Sequence, residues 1–139
     1  EMCEIVGRRA WFNVPVADII GRTRGAINYG DGRQVENSPH LMKYWRDAAS
    51  YPFKSHELWF LTEDIRWGVI PPDTNTRALV DQVNREDIWR EAAQALGVPA
   101  AEIPTSTSRG RETFVDGKVF DPEDPQTYLA SLAIKKLAV

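Results

Sequence analysis

The chain has 139 residues and a mass of 15.7 kDa, the size of one domain or of part of a larger one. Apolar residues make up 42% and charged residues 27%, a balance that excludes disorder as the main state and excludes a fibrous protein. With 17 Lys and Arg against 20 Asp and Glu the net charge is −3, which argues against a protein built to neutralise nucleic-acid phosphates.

Glu1 to Val6 reads as the end of a helix stopped at Gly7, so the chain is expected to be a segment of a longer polypeptide. Its opening, "EMCEIVGRRAW", lacks the long apolar stretch and small-residue cleavage pattern of a signal peptide. No apolar run approaches the roughly 20 residues that span a bilayer. Cys3 is the only cysteine, which rules out an intrachain disulfide and a cysteine-built zinc cage. Pro15 at a first helical position, with Val16, Ile19 and Ile20 as one stripe, predicts a short helix to about Arg22, before Gly25. "NYGDGRQVENSP", from Asn28 to Pro39, reads as an irregular loop ending in a helix cap. Ser38 as N-cap, followed by Pro39, predicts a helix with Leu41, Trp45 and Ala48 or Ala49 on its apolar face.

Ser55 is the expected cap of the next helix, "HELWFLTEDIRWG", whose Leu58, Leu61 and Ile65 keep helical spacing. Trp59 and Phe60 widen that stripe until it nearly encircles the axis, which predicts a buried helix ending at Trp67 and Gly68. A short strand through "LWFL" is the competing reading. Pro71 and Pro72 predict an extended link. Leu79, Val80 and Val83 mark a helix within Thr74 to Val83, and Asn84 with Asp87 resembles the start of another. Ile88, Trp89, Ala92, Ala93 and Leu96 then recur at three and four and close on Gly97 and Pro99; burying this stripe is worth several kcal/mol at about 25 cal/mol per Å². In "ETFVDGKVF" Asp116-Gly117 lies between alternating arms, a hairpin signal, and Phe114 and Phe120 need cover. Pro125 opens a last helix with Tyr128, Leu129, Leu132 and Ala133 on one face and Lys135 and Lys136 in its final turn. Residues 1–139 are thus read as one α+β unit, helical over 1–100, with a hairpin and a final helix over 101–139.

Nothing in the residues forms a GxSxG elbow, a GxxxxGK[ST] phosphate loop, an HExxH helix or a Gly-rich dinucleotide fingerprint, so no enzyme and no cofactor is expected. The "NYGDG" turn reads as a loop before it reads as a phosphate cradle. His40 and His56 each lie just inside an expected helix start and have no second His or Cys at ligand spacing; packing or capping is the first reading and an anion or metal contact the second. Asp121, Glu123 and Asp124 lack the alternation of a calcium loop and suit helix capping. "STSRGR", Ser106 to Arg111, has a composition able to hold an anion, and Arg8, Arg9, Arg22 and Arg24 are further cationic points, most simply solvated or paired. Arg66, between Ile65 and Trp67, is the arginine most open to desolvation and is expected to pair with Glu63 or Asp64. Trp45 and Trp89 are read as core. His56 and Arg66 are therefore the only candidate ligand-binding residues, with none catalytic and none metal-binding.

The strings "NVPVADIIGRTRG", "ASYPFKSHELWFLTEDIRWG" and "PTSTSRGRETFVDGKVFDP" resemble the C-terminal third of the nitrate- and bicarbonate-binding proteins of bacterial ABC importers, the likeness running from about Glu1 to Leu132. The resemblance implies the tail of a two-lobed periplasmic-binding-protein fold of the type II class, α/β in its lobes. It implies an inorganic oxyanion (nitrate, nitrite or bicarbonate) as ligand of the full protein, permease and ATPase subunits as partners, and a periplasmic location. In that family the anion-touching residues lie mainly before this segment, so no site residue carries over. Two relatives with other tasks share the likeness: an anion-sensing domain fused to the importer's ATPase, and a cytoplasmic nitrate or nitrite regulator that pairs with an antiterminator.

Overall fold

A computed structural model describes residues 1–8, 13–39, 41, 43 and 45–136. Arg9 and His40 lie outside the described residues. The chain divides into two compact units, Glu1–Ala49 and Ser50–Val139.

In the first unit, α1 (Met2–Gly7) lies against α2 (Val16–Thr23); α1 takes in the glycine expected to stop it and is capped by Arg8, while α2 begins directly after Pro15. Pro15 caps α2 from one position outside it. The expected loop after Gly25 holds a short antiparallel ribbon, β1 (Ile27–Asn28) and β2 (Gln34–Val35), with Ile27 opposite Val35. The turn residues act as anticipated: Asn28 Oδ1 accepts from Gly30 N at 2.9 Å and Asp31 Oδ1 from Arg33 N at 3.0 Å. Reversing the chain over so few residues brings the flanks within pairing distance, which composition did not reveal.

The helix expected from Ser38 is not formed. Among the described residues from 38 to 49 there is only a 3₁₀ turn, Arg46–Ala48, and Asp47 (φ 59°) and Ala48 (φ 54°) are left-handed, which an α-helix cannot pass through. Ser38, 1% exposed, is committed elsewhere: its N–H donates to Gly25 O at 3.0 Å. Gly25 has φ +95°, and a Cβ there would stand 3.1 Å from Ser38 N, so this close approach requires glycine. Trp45, 39% exposed, is not the core residue its spacing suggested.

The second unit holds the hydrophobic core. α3 (Lys54–Arg66) takes up the "LWFL" run, settling the choice between helix and strand. Ser55 lies inside it, and Phe53 occupies the N-cap. At the other end Gly68 (φ +67°) donates its N–H to Ile65 O at 2.9 Å, the expected left-handed stop. Pro71 is the first residue of a turn closed by Thr74 N–H to Pro71 O at 3.1 Å, so the proline link bends where it was expected to extend. α4 (Thr76–Val83) is capped by Asn75 Oδ1 accepting from Ala78 N at 3.1 Å. α5 (Glu86–Ala95) is approached by Asn84, whose Oδ1 accepts from Glu86 N at 3.0 Å, and ends at Gly97 (φ +70°).

β3 (Glu112–Thr113) and β4 (Val119–Phe120) pair antiparallel, Glu112 opposite Phe120. Gly117 N–H donates to Phe114 O at 2.9 Å and Phe114 N–H to Lys118 O at 2.8 Å, so the loop has three residues with a left-handed Gly117 (φ +80°) last. Asp116-Gly117 marks the hairpin through this longer loop and not through a two-residue one. α6 (Pro125–Ser131) has Pro125 in its first turn and Asp124 as N-cap, accepting from Thr127 N at 3.2 Å. It ends before Lys135 and Lys136: Lys136 N–H donates to Arg66 O at 3.0 Å and Arg66 Nε to Ile134 O at 2.8 Å, so the tail is held along the end of α3.

Leu58 of α3, Val80 of α4, Phe120 of β4, and Tyr128 with Leu132 from α6 and its exit form the buried cluster, flanked by Trp59, Leu61 and Phe114. The aromatics meet edge to face, Phe120 and Tyr128 at 5.5 Å and 90°. Two stripes are less buried than their patterns predicted. Phe60, on the far side of α3, is 62% exposed. On α5 only Ala93 is buried; Trp89 is half-buried against Tyr51, 5.0 Å between rings, while Ile88 and Leu96 are exposed. The fold class stands as α+β, mostly helical, with a second ribbon added.

Candidate functional site

His56 and Arg66 lie ten positions apart on α3, a separation of about 15 Å at 1.5 Å per residue, so one small ligand cannot touch both. His56 Nε2 is 2.8 Å from Glu112 Oε2 at the start of β3. The other oxygen of Glu112 is 3.4 Å from Arg109 Nε, and the Arg109 guanidinium stands 5.4 Å from the Phe53 ring centre. Arg109 N–H donates to Ser55 Oγ at 3.1 Å. One carboxylate thus spans a histidine and an arginine, joining α3 to the hairpin. Beside it is a cleft of about 340 Å³ lined by Trp59, Phe60, Phe114 and Phe120 together with His56 and Glu112.

The "STSRGR" loop spends its polar groups on itself and on α3. Ser106 Oγ accepts from Ser108 N at 3.1 Å, Ser108 Oγ accepts from Gly110 N at 3.0 Å, and Thr107 O accepts from Lys54 N at 2.9 Å. A second cleft of about 240 Å³ lies beside it, with Lys54 and Arg77 in its wall. Lys54 Nζ is 2.8 Å from Asp81 Oδ1, and Arg77 Nη2 is 3.3 Å from Glu123 Oε2 and also donates to Pro122 O. Each cation faces a carboxylate, which offsets the positive potential a free anion would seek. Asp124 caps α6, the use expected of this acidic group, whereas Asp121 Oδ1 accepts from Glu123 N at 2.9 Å in the turn before the helix.

Arg66 has the partner its spacing proposed. Its Nη1 is 2.9 Å from Glu63 Oε2, and the two side chains are only 18% and 16% exposed. Glu63 Oε1 accepts from Tyr128 OH at 2.8 Å, and Tyr128 OH accepts from Trp59 Nε1 at 3.2 Å. Burial pushes the Tyr128 phenol above its ordinary range, the Trp59 donor opposes this and the Glu63 acceptor adds to it. Sequence spacing found Glu63; Tyr128 and the Ile134 carbonyl lie 65 and 68 positions from their partners and left no local signal.

A third polar group, absent from the sequence reading, fastens α5. Tyr51 OH donates to Glu86 Oε2, Arg90 Nη2 donates to Tyr51 OH at 2.6 Å, and Arg90 Nη2 lies 3.1 Å from Glu86 Oε2. The Tyr51 hydroxyl holds the Glu86 carboxyl below its ordinary value, with Arg90 adding to the effect, while burial and Glu86 push the Tyr51 phenol upward. A lowered carboxyl gives stability that is present above the unfolded value, about 4.3, and is lost as pH falls through the folded one; a raised phenol gives stability present below about 10 and lost as pH rises further. Glu86→Gln is therefore expected to flatten the fall in melting temperature between about pH 5 and pH 3, and an unchanged acid limb would refute this assignment.

Among the described residues no three His, Cys, Asp or Glu side chains gather as a metal site, and no helix is long and apolar enough to cross a membrane.

No family model matches the chain. It is 60% identical to the nitrate/nitrite binding protein NrtA of Synechocystis sp. PCC 6803 over 138 residues, 99% of this chain and 31% of that protein. The crystal structure of the periplasmic nitrate-binding protein NrtA from that organism matches with a TM-score of 0.85 over 96% of this chain and 35% of that one, at 60% identity. Identity to the bicarbonate-binding protein CmpA of Synechococcus elongatus PCC 7942 is 47% over 144 residues, 98% of this chain and 32% of that protein. This chain matches the C-terminal part of the nitrate- and bicarbonate-binding proteins. The chain spans about a third of the length of these relatives. The nitrate import ATP-binding protein NrtC of Synechococcus elongatus PCC 7942 is more distant, 35% identical over 109 residues, 78% of this chain and 16% of that protein. That gap sets the binding proteins above the fused sensor among the readings the sequence left open, and the regulator reading gains no support.

Proposed function

We propose that residues 1–139 form the C-terminal part of the solute-binding component of an ABC importer for an inorganic oxyanion, nitrate, nitrite or bicarbonate. The segment braces the protein that holds the anion and performs no reaction. The observation that carries this reading is the 60% identity to NrtA sustained over 99% of the chain, together with a shared fold. The geometry supports the bracing role: His56 is engaged by Glu112 and Arg66 by Glu63, so both candidate residues serve packing before they serve a ligand. On this reading the partners are a permease and an ATPase, the location is the periplasm, and nucleic acid is not bound.

Calorimetric titration of the full-length parent with nitrate, nitrite and bicarbonate is expected to give saturable heat for at least one of them. No heat and no shift in melting temperature with any of the three would overturn the proposal.

A further inference from the structure

The end of α3 and the tail lying along it form a surface of a different kind from the clefts. Trp67 is 43% exposed, Val69 69% and Ile134 70%, three large apolar side chains left to water. The backbone gathers them. Val69 N–H donates to Asp64 O at 2.8 Å, which folds the chain back over the last turn of α3, while Lys136 N–H donates to Arg66 O and Arg66 Nε to Ile134 O. Ile134 and Trp67 therefore flank one residue, Arg66, whose guanidinium lies 4.7 Å from the Trp67 ring centre. Cations border the patch: Lys136 is exposed, Lys135 is half-buried with Nζ 3.4 Å from Leu129 O, and Lys118 Nζ donates to Ser131 O at 2.7 Å where the tail leaves α6. Of the carboxylates in the last turns of α3, Glu63 is paired with Arg66, leaving Asp64 against three lysines, so this end of the unit is positive in a chain whose net charge is −3.

We infer that this face is a contact surface for a lipid bilayer carrying anionic headgroups, with Trp67, Val69 and Ile134 entering the headgroup region and Lys135 and Lys136 facing the lipid phosphates. Exposed apolar side chains gathered in one place mark an interaction face. An indole at headgroup level, beside lysines whose stems lie along apolar surface while their ammonium groups stay in water, is the composition that settles at a lipid–water boundary. Charge complementarity favours the bilayer over an acidic protein: the outer cations are flexible lysines, which follow a fluid array of phosphates, whereas the planar arginine fork suited to a fixed carboxylate is already held by Glu63. The inference goes beyond the proposed function and takes from it only the longer parent used in the test.

The full-length parent, prepared without lipid modification, is sedimented with vesicles of phosphatidylglycerol and phosphatidylcholine in equal parts and with vesicles of phosphatidylcholine alone. Partition to the anionic vesicles is expected to be stronger by about tenfold or more and to fall by about thirtyfold in Lys135→Gln with Lys136→Gln, the loss of two lysine–headgroup attractions. Val69→Ser with Ile134→Ser, at positions too exposed to disturb folding, is expected to weaken it as well. Equal partition to both vesicles overturns the inference, as does a loss confined to the lysine variant, which is adsorption by charge alone. Binding only to vesicles that contain the permease assigns the face to that protein and overturns it too. Quenching of tryptophan emission by brominated phosphatidylglycerol, present in the unsubstituted parent and reduced in Trp67→Phe, reads the same contact with no change of charge; quenching unaltered in Trp67→Phe counts against it. Anion titration of the same sample keeps the two claims apart: vesicle binding without anion binding sinks the functional reading alone, and anion binding without vesicle binding sinks this inference alone.

Discussion

Replacing Phe120 with alanine is expected to destabilise the protein by about 3–5 kcal/mol, read as a lower urea midpoint for the transition of the Ser50–Val139 unit. Phe120 is 3% exposed and reaches the centre of the cluster formed by Leu58, Val80, Tyr128 and Leu132. Its removal takes away both apolar burial and the edge-to-face contact with Tyr128, and the surrounding helices cannot close the space because α3 and α6 are already fixed by the Glu63 network. Val115→Ala at the bare hairpin tip is the control, with a change within about 0.5 kcal/mol. Equal effects at the two positions would mean that the hairpin does not belong to the core.

The second large effect is at Glu63. Glu63→Ala is expected to cost about 2–4 kcal/mol, because it leaves the half-buried Arg66 guanidinium and the buried Tyr128 hydroxyl without their shared acceptor. Glu63→Leu combined with Arg66→Met removes both charges and should recover more than half of that loss, since the cost lies mainly in the charge left unpaired. Anion affinity of the full-length parent should stay within twofold in the double variant. A tenfold loss of affinity with unchanged stability would make Arg66 a ligand contact and overturn its structural role.

What was readable in the chain was whatever local chemistry dictates. Gly68 and Gly97 end helices in the left-handed conformation their positions announced, Asp124 caps the helix it precedes, and Asp116-Gly117 marks a hairpin. The helix expected after Ser38 shows the limit: Ser38 has the chemistry of a cap, yet the stretch it was to cap runs into left-handed Asp47 and Ala48, which an α-helix cannot contain. Periodicity named the apolar faces of α3 and α5 but could not say how much of each would find cover within these residues. The candidate site divides in the same way. Arg66 and Glu63 are neighbours on one helix, and spacing narrowed the partner of Arg66 to Glu63 or Asp64, whereas the partner of His56 is Glu112, 56 positions on. No spacing rule reaches across that distance.

The start of α3 has a consequence for how the chain is made. Its first backbone N–H, at Lys54, is satisfied by the carbonyl of Thr107, and the hydroxyl of Ser55 is engaged by the N–H of Arg109, 54 positions later. At about 5–20 residues per second, a ribosome needs roughly 2–9 s to supply those later groups after α3 has been synthesised. During that interval the nascent helix has an open end that only water can satisfy, and the arrival of the Thr107–Arg109 segment closes it.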